Sequence, residues 1–567
     1  MKRTAILLVT VMAVVYATAC TNFIVGKKAS ADGSVICSYN ADSYGVFMTL
    51  AHYPAARHAK GEMRQIYEWD TNKHLGAIPE AEETWNVVGN INEWQVTIGE
   101  TTYGGREEMV DTTGIIDYGS LIYIALQRSK TAREAITVMT SLAELYGYYS
   151  EGETFTICDP TEAWILEMQG CGSDRKVSKE RVVWVACRIP DDAICGHANQ
   201  SRIGCLAIDG GVVLGIDDLM KKHLPVDGTA VPNIIVYSKN VIKYARKMGW
   251  FEGKDADFSF KNAYAFPDFS GRRICDARVW SFFNRHVKGM DRYLPWALGR
   301  DKDAEDMPLW VVPERKVSVG DVMQAMRDHY ENTPLAIDSA DIGGGIWQMP
   351  YRPTPLYFKV DGKKYFNERP VSTQQTAWTF VSQMRSWLPR EVGGCFWFGN
   401  DDSNMVAYTP VYCSMTRLPE CYSTPGADDV TFSMKNAYWV ENWVSNMVYP
   451  RYSVLFPSLQ QVRDSLQQAY FSQQAAVESK AVTMEPAQRQ QFLNDYSVRQ
   501  AQQMLARWQQ LAFYLIVKYN DMTVKPEKGG TFERTPYGHG ATVSRPGYPA
   551  AFARRLVQQT GGRYEME

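Results

Sequence analysis

A cysteine at position 20 that leads directly into a β-prone hairpin is the feature that most constrains this chain. Residues 20–26 (CTNFIVG) predict a short strand, and residues 34–39 (SVICSY) predict the strand that returns beside it. The Asp32-Gly33 pair between them is typical of a tight turn. A chain end frays unless a sheet holds it, so this pattern predicts that Cys20 is held in a fixed place.

The segment before Cys20 has the organisation of an export signal. Lys2 and Arg3 are followed by an apolar stretch over residues 5–15, which is too short to cross a bilayer of about 30 Å as a helix. Residues 17–19 (ATA) match the small-x-small pattern that a signal peptidase cleaves. We therefore expect cleavage after this pattern and an exported protein, periplasmic or secreted, whose mature chain has no transmembrane segment.

Two fates are open for Cys20 after cleavage. In the first, its free α-amine, with an ordinary pKa of about 7.7–8.0, acts as the base for its own thiol. In the second, the cysteine is lipidated, which anchors the protein and removes nucleophile and base together. Lipidation is favoured by a large residue three positions before the cysteine, where this chain has Ala17. The apolar hairpin that follows also favours the free cysteine over a tethered anchor.

The composition excludes several classes of protein. Sixty basic and 63 acidic side chains leave a net charge of −3, which gives no electrostatic footprint for nucleic acid. A chain that is 45% hydrophobic, with 16 Trp and 32 Tyr, is not disordered. Eleven Cys in 567 residues are too few for a scaffold built on disulfides. What remains is a large protein with a core, and we expect an enzyme.

The sequence offers no metal or cofactor motif. The eight His include no H-E-x-x-H pair, and no G-x-S-x-G elbow is present. Cys187, Cys195 and Cys205 lack the regular ligand spacing of a zinc site. We expect them to be buried free thiols or to include one disulfide, and we expect no metal and no cofactor.

The run CTNFIVGKKASADGSVICSYNADS at residues 20–43 resembles the opening of the cysteine dipeptidases among the N-terminal-nucleophile (Ntn) hydrolases. These enzymes are relatives of dipeptidase A, the secernins, penicillin V acylase and bile salt hydrolase. Further similar segments follow in the family's order, at residues 88–102, 126–136, 158–167, 197–204, 276–282 and 317–334 and at Arg369-Pro370. The resemblance extends over roughly residues 20–520, and the ordered set is more specific than any one segment.

The resemblance implies both a fold and an activity. The fold is α+β, a four-layer αββα sandwich with additional C-terminal helices. The activity is hydrolysis of small peptides, specifically dipeptides, through an acyl-enzyme on Cys20 without metal. Two alternatives stay open: an acylase acting on N-acyl amides, and a lipid-anchored cell-surface protein that binds without catalysis. A homo-oligomer is compatible with either enzyme.

We divide the chain into an export signal (residues 1–19), a catalytic domain (20–425), a helical region (426–524) and a Gly/Pro-rich extension (525–567). The helical region is expected to pack on the catalytic domain, with an oligomer interface as the alternative. Apolar periodicity and capping residues predict helices over residues 117–126, from 131 onwards, and over 318–330, 457–479, 486–519 and 550–559.

Three residues acquire roles through the resemblance. Asp42 matches an aspartate that orients the N-terminal residue, although a solvated loop residue is the plainer interpretation. Asn199 matches an asparagine that helps to hold the tetrahedral intermediate, but asparagine is also a common turn-former. Arg278 matches an arginine in the same neighbourhood, with a surface ion pair as its alternative. The acylases carry an arginine where this chain has Tyr39, so no arginine role transfers to that position.

Glu100 departs from the family pattern in an informative way. It falls where secernins and acylases place an asparagine of the oxyanion hole, and an ionised carboxylate cannot donate a hydrogen bond. We expect main-chain N–H groups around Glu100 to serve the oxyanion. Its carboxylate would then receive the α-ammonium of the substrate, with a structural glutamate in a turn as the alternative.

Overall fold

Two large β-sheets organise the protein. The computed structural model describes residues 20–206, 212–220, 233–337 and 342–566, so the predicted export signal lies outside the described residues. The architecture is α+β, with mainly antiparallel sheets and helices packed against them. The α+β class is therefore confirmed.

The strands, in chain order, are β1 (Thr21–Val25), β2 (Val35–Asp42), β3 (His52–Tyr53), β4 (Ala56–Arg57), β5 (Met63–Tyr67), β6 (His74–Pro79), β7 (Glu83–Thr84), β8 (Val87–Val88), β9 (Ile91–Asn92), β10 (Thr97–Gly104), β11 (Gly152–Cys158), β12 (Ala163–Gly170), β13 (Val182–Ile189), β14 (Ile194–His197), β15 (Val212–Leu214), β16 (Ile234–Tyr237), β17 (Trp310–Val311), β18 (Tyr357–Val360), β19 (Lys363–Phe366), β20 (Thr376–Met384), β21 (Cys395–Asn400), β22 (Thr409–Tyr412), β23 (Glu527–Lys528) and β24 (Thr531–Phe532).

The α-helices are α1 (Tyr118–Arg128), α2 (Ala132–Tyr146), α3 (Ile216–Leu219), α4 (Val241–Lys247), α5 (Phe260–Tyr264), α6 (Ala277–Asn284), α7 (Leu294–Leu298), α8 (Val319–Met326), α9 (Arg390–Gly393), α10 (Ala437–Val448), α11 (Tyr452–Val482), α12 (Pro486–Tyr519) and α13 (Ala550–Thr560). A π-helical turn over Gly271–Asp276 leads directly into α6.

The two large sheets face each other. One has the order β17-β14-β1-β2-β20-β21-β22 and the other β15-β16-β13-β12-β11-β10-β9-β8-β3, antiparallel except for the β15–β16 pair. Polar side chains join the facing surfaces: Thr97 and Ser382 are 2.7 Å apart between their hydroxyls, and His197 lies between the hydroxyls of Thr101 and Thr156. The interface between the two sheets therefore contains hydrogen bonds as well as apolar contacts.

Alternation along the strands assigns the helices to the outer faces. On β12, Trp164 and Leu166 pack with α1 and α2, whereas Ile165 belongs to the core shared with the other sheet. This is the period-2 alternation of a strand that is buried on both sides. Helix α8 packs on β2 and β20, and α12 packs on β22 of the seven-stranded sheet.

The predicted hairpin at residue 20 is confirmed as β1 and β2. The Asp32 carboxylate accepts hydrogen bonds from the Ser34 N–H (3.0 Å) and from the Ser30 hydroxyl (2.8 Å). Gly33 has a φ of 87°, which a residue with a side chain rarely adopts. The turn is therefore fixed locally, and it sets the register that pairs Asn22 with Tyr39.

Most predicted helices are confirmed, with two corrections of extent. Thr131 caps α2 by accepting from Glu134 N–H, and α12 has the predicted bounds. Helix α8 ends at Met326 and does not reach residue 330, because Tyr330 has a φ of 66° that a helix cannot contain.

The other correction concerns the helix predicted from residue 457. Helix α11 begins at Tyr452, because a 3₁₀ turn over Tyr449–Arg451 already leads the chain into helical geometry. Pro457 therefore lies inside the helix, close to its start, and Leu455 and Leu459 on either side of it are buried.

Candidate active site

The sulfur of Cys20 is buried at the start of β1, between a phenol and a carboxyl group. Cys20 Sγ lies 3.4 Å from Tyr39 Oη and 3.4 Å from Glu100 Oε1. Tyr39 also donates a hydrogen bond to that same carboxylate oxygen. The residue is only 3% exposed, so a thiol, a phenol and a carboxyl group form one enclosed cluster.

The register of the hairpin explains this arrangement. Because Asn22 is opposite Tyr39, Cys20 is the diagonal neighbour of Tyr39 on the same face, within reach of a long aromatic side chain. That face meets β10 at Gly99. A Cβ atom at position 99 would lie 2.3 Å from Asn22 Oδ1, so only glycine allows the two strands to approach this closely.

Three asparagine amides cap successive carbonyls along one edge of β10. Beyond Thr97, the described residues pair β10 with β11 on its other edge only. The capping contacts, at 2.9, 2.7 and 2.8 Å, are Asn90 to Ile98 O, Asn22 to Glu100 O and Asn199 to Thr102 O. A strand residue points its N–H and C=O to the same side, so the N–H groups of residues 98, 100 and 102 face this edge too.

Arg278 connects the predicted residues directly. Its guanidinium is fully buried at the start of α6 and has five N–H donors. Nε donates to Ile274 O (2.9 Å), Nη1 to Cys20 O and Thr21 Oγ1 (both 2.7 Å), and Nη2 to Ala198 O and Asn199 Oδ1 (both 3.0 Å). Burial lowers the pKa of Arg278 to about 10, so the group remains a cation at neutral pH.

The loop after β14 holds Asn199 in a defined orientation. Asn199 has a φ of 58°, a left-handed conformation that asparagine tolerates better than most residues. The buried Glu167 carboxylate accepts from the Ser201 hydroxyl and from the Ile203 N–H at 3.2 Å. Arg202, in the same loop, forms a 3.0 Å ion pair with Asp276 just before α6. This pair ties the loop to the helix that carries Arg278.

Asp42 lies on the other side of the thiol, at the end of β2. Its carboxylate forms a buried ion pair with Arg369 and accepts from Thr376 Oγ1 at 2.5 Å. Burial raises the pKa of Asp42 to about 6, against the opposing effect of Arg369. Its main-chain N–H faces the Cys20 sulfur. Asp42 is therefore a buried, paired group beside the Cys20 sulfur, and the solvated-loop interpretation is wrong.

The surroundings keep the thiol protonated. Burial raises the pKa of Cys20 well above its ordinary value, and the nearby carboxylates of Glu100 and Asp42 raise it further. The contact with the Tyr39 hydroxyl and the hydrogen bond from the Asp42 N–H act in the opposite direction but are weaker. A thiol in this state would need a base to remove its proton before the sulfur could act as a nucleophile.

Five predicted residues thus come together. Arg278 donates hydrogen bonds to both Cys20 and Asn199. The alternative of a surface ion pair for Arg278 is wrong, because its side chain is buried. Glu100 contacts the sulfur, and Asp42 faces it. Their chemical roles stay predictions.

The described residues lack two features, a cluster of metal ligands and a membrane-spanning helix. They contain no group of three or more His, Cys, Asp or Glu side chains arranged to hold a metal ion. No helix in this part of the chain has the length and apolarity needed to cross a membrane. Cys187 and Cys195 are buried free thiols as expected, whereas Cys205 is exposed.

The sequence profile of peptidase family C69 matches residues 19–52 and 46–465. The chain belongs to peptidase family C69. It is therefore a peptidase, and the match begins one residue before Cys20.

Relatives of this C69 peptidase carry dipeptidase names. It is 25% identical over 436 residues to a probable dipeptidase of Salmonella dublin, which covers 73% of this chain and 86% of that protein. A probable dipeptidase of Latilactobacillus sakei is 22% identical over 455 residues, or 77% and 82% of the two chains. Dipeptidase A of Lactobacillus helveticus is 22% identical over 463 residues, or 77% and 83%.

Three residues of the C69 site were not predicted from the sequence. Tyr39 stands where the acylases have an arginine and carries no predicted role, although the hairpin register places it diagonal to Cys20. Arg369 lay in a similar segment without an assigned role, and it pairs with Asp42. Glu153 contacts Glu100 from the neighbouring strand β11. The alternation of side chains would have placed Glu153 beside Glu100 if the pairing of β10 with β11 had been known.

Proposed function

We propose that this C69 peptidase is an exported cysteine dipeptidase whose nucleophile is the N-terminal residue after cleavage at position 19. The observation that carries the proposal is the position of Cys20. Its sulfur is buried between Tyr39 and Glu100, and its carbonyl is held by Arg278. A cysteine held at both its sulfur and its carbonyl has the fixed geometry that a catalytic terminus requires.

For the fold, we infer the four-layer αββα sandwich of the Ntn hydrolases. Two facing sheets with α1 and α2 packed on one and α8 and α12 packed on the other support this assignment. Within it, residues 20–425 form the catalytic domain, 426–524 the helical region and 525–567 the extension. The dipeptidase names of the relatives support dipeptides as substrates.

The base is the α-amine of Cys20. A thiol whose pKa is raised by burial is protonated at neutral pH, so attack on the scissile carbonyl must be accompanied by proton removal. The released amine has an ordinary pKa of about 7.7–8.0 and is partly neutral there. In the unprocessed chain the same nitrogen is an amide and cannot act as a base, so cleavage creates the active enzyme.

The oxyanion is stabilised at the capped edge of β10. Arg278 and Thr102 O fix the Asn199 amide from both ends, so that Asn199 N–H and the main-chain N–H of Glu100 can converge on the attacked oxygen. Such preorganised donors each contribute about 3 kcal/mol to catalysis. The cationic Arg278 favours the negative charge that develops beside it.

The reaction then follows two balanced steps. The sulfur bonds to the carbonyl carbon, the amine takes the thiol proton and passes it to the leaving nitrogen, and the peptide C–N bond breaks to give a thioester. Water, deprotonated by the same amine, attacks the thioester, releases the amino acid and returns the proton to sulfur. Asp42 holds the region around the first residue in place through its pair with Arg369.

Glu100 receives the α-ammonium of the substrate. In an aminoacyl group the amine nitrogen is about 2.5 Å from the carbonyl carbon, and attack begins with that carbon about 3–3.5 Å from the sulfur. The contact of 3.4 Å between Glu100 Oε1 and Cys20 Sγ therefore brings the carboxylate within reach of the ammonium.

A substrate panel on processed protein tests the proposal. We expect turnover of dipeptides, little turnover of penicillin V or conjugated bile salts, and none with Cys20→Ala. Preference for the acylase substrates would assign the enzyme to the N-acyl amide hydrolases. An intact mass showing a fatty-acylated Cys20 would replace the proposal with a lipid-anchored binding protein.

A further inference from the structure

A second carboxyl group lies behind Glu100. Thr102 on β10 is directly opposite Glu153 on β11, so Glu100 and Glu153 are diagonal neighbours on one face of the sheet. Their carboxyl groups are in hydrogen-bond contact. Glu153 is fully buried and Glu100 is 2% exposed.

The contacts leave one oxygen of each group facing the other. Glu153 Oε2 accepts from Thr102 Oγ1 at 3.2 Å, and Glu100 Oε1 accepts from Tyr39. Glu100 Oε2 and Glu153 Oε1 are buried and receive no bond from an amide, hydroxyl or cation of the described residues. Two carboxyl groups in such contact must share a proton. Glu100 accepts from both Tyr39 and Cys20, whereas Glu153 accepts from Thr102, so Glu100 has more donors to hold its ionised form and we place the proton on Glu153. Burial and the neighbouring Glu100 also raise the pKa of Glu153.

No Lys, Arg or His side chain of the described residues forms an ion pair or hydrogen bond with either carboxyl. The titratable side chains that interact with the two carboxyls come from the start of β1, from β2, β10 and α1, from the β5–β6 loop and from the segment before β11. They are Cys20, Tyr39, Tyr103, Tyr118, Asp70, Tyr148 and Glu151. Burial raises the pKa of the tyrosines Tyr39, Tyr103, Tyr118 and Tyr148, which are therefore neutral. The pair thus carries one net negative charge beside the nucleophile.

We propose that Glu153 is a positioning residue, a neutral carboxylic acid whose O–H donates to Glu100 and fixes the Glu100 carboxylate as the receptor for the substrate α-ammonium. The proposal rests on the proposed dipeptidase function. It assigns specificity to the amino end of the substrate: the residue whose carbonyl is attacked must have a free amine. Glu153 touches neither the substrate nor the sulfur and acts through Glu100.

The pair also gives substrate binding a defined pH dependence. When the pair takes up a second proton at low pH, its negative charge disappears and KM for a dipeptide rises. The reaction of the thiol with a neutral electrophile does not need that charge. Because the two sites titrate together, replacing Glu153 shifts the acid limb of kcat/KM.

Two substitutions separate the hydrogen bond from the mere presence of a side chain. Glu153→Gln keeps a neutral donor of the same shape, and we expect KM for a dipeptide to stay within about threefold of wild type. Glu153→Leu removes the donor, and we expect KM to rise about tenfold or more with kcat little changed. Glu252→Gln, an exposed glutamate between α4 and α5, is the control and should leave both parameters unchanged.

Infrared difference spectroscopy gives a readout independent of activity. Other buried acids such as Glu441, whose pKa burial also raises, contribute equally to both proteins, so we expect the wild-type-minus-Glu153→Gln difference spectrum at neutral pH to contain the carbonyl band of one protonated carboxylic acid. Absence of the band from this difference spectrum, or equal KM values for wild type and Glu153→Leu, would overturn the proposal. Equal damage by Glu153→Gln and Glu153→Leu would also overturn it.

The two proposals fail in distinguishable ways. If processed wild-type protein does not hydrolyse dipeptides, the proposed function fails. If it does so while the Glu153 variants behave as the control does, only the role of Glu153 fails. The alkylation rate of Cys20 by iodoacetamide, unchanged in every Glu153 variant, shows that each variant is folded around its thiol.

Discussion

Two carboxyl groups flank the same buried thiol, and their partners are of opposite kinds. Asp42 is paired with the guanidinium of Arg369, so that side of the site is closed and electrically balanced. Glu100 is paired with another carboxyl, Glu153, and neither of the two forms an ion pair with a cationic side chain of the described residues. The comparison teaches that Asp42 belongs to the scaffold of the site, whereas Glu100 is set to attract a positive group from outside.

The largest expected effect is a loss of stability when the Asp42–Arg369 pair is broken. Arg369→Met leaves Asp42 buried without its cation, and we expect unfolding free energy at neutral pH to fall by about 3–5 kcal/mol. The control is Arg417→Met, which removes an exposed ion pair with Asp495 and should cost about 1 kcal/mol or less. Urea unfolding of both variants measures the difference, and equal losses would show that Asp42 does not depend on its partner.

The pH dependence of stability sharpens the same point. Burial raises the pKa of Asp42 to about 6 in the folded protein, against about 3.9 in an unfolded chain. A raised folded-state pKa contributes stability that is complete below the unfolded value and is lost as pH rises through about 6. This carboxyl should therefore cost the wild type about 3 kcal/mol between about pH 4 and pH 7.

Asp42→Asn should lack that component of the pH dependence, whatever its stability at a single pH. The measurement is denaturant unfolding of both proteins at the two pH values. The change in unfolding free energy between the two pH values is then compared between wild type and Asp42→Asn. Identical pH dependence in both proteins would mean that the carboxyl is not buried in its charged form.

Changes at Glu100 should affect the binding and turnover of the substrate. Glu100→Gln removes the negative charge but keeps the shape, and we expect dipeptide turnover, as kcat/KM, to fall at least about tenfold, or about 1.4 kcal/mol. Turnover of an N-acylated amide, which has no ammonium, should fall far less. Equal losses on both substrates would contradict the role of the carboxylate.

The smallest expected effect is at the phenol that touches both the thiol and Glu100. Tyr39→Phe removes one hydroxyl, and we expect kcat/KM for a dipeptide to fall about five- to tenfold, which corresponds to about 1 kcal/mol. Tyr103→Phe is the control, since its hydroxyl bonds to Met168 O at 3.0 Å away from the sulfur. If Tyr103→Phe lost as much kcat/KM as Tyr39→Phe, the loss could not be attributed to the contacts of Tyr39 with Cys20 and Glu100.

Local sequence patterns predicted much of the fold. The Asp32-Gly33 turn and the Thr131 cap act through neighbours a few residues away, so their consequences are visible in the sequence itself. The early start of α11 was missed because the preceding turn is irregular, and the early end of α8 because Tyr330 adopts a left-handed conformation.

The site was predicted only where a motif marked it. Cys20, Asn199 and Arg278 stand in segments that resemble a family, and the structure places them in contact. Arg369 and Glu153 depend on pairing between distant segments: Arg369 meets Asp42 across the molecule, and Glu153 meets Glu100 through the β10–β11 register. No local pattern specifies such pairing, because it arises from how the sheets pack.

The central claim is that processing leaves a chain whose first residue supplies both the sulfur and the nitrogen for catalysis. Mass spectrometry of protein exported by its native host, quenched during dipeptide turnover, tests it most directly. The account predicts a chain that starts at Cys20 and carries the aminoacyl group of the substrate on its N-terminal peptide. A chain that starts at another residue, or a Cys20 that carries fatty acyl groups, would contradict it.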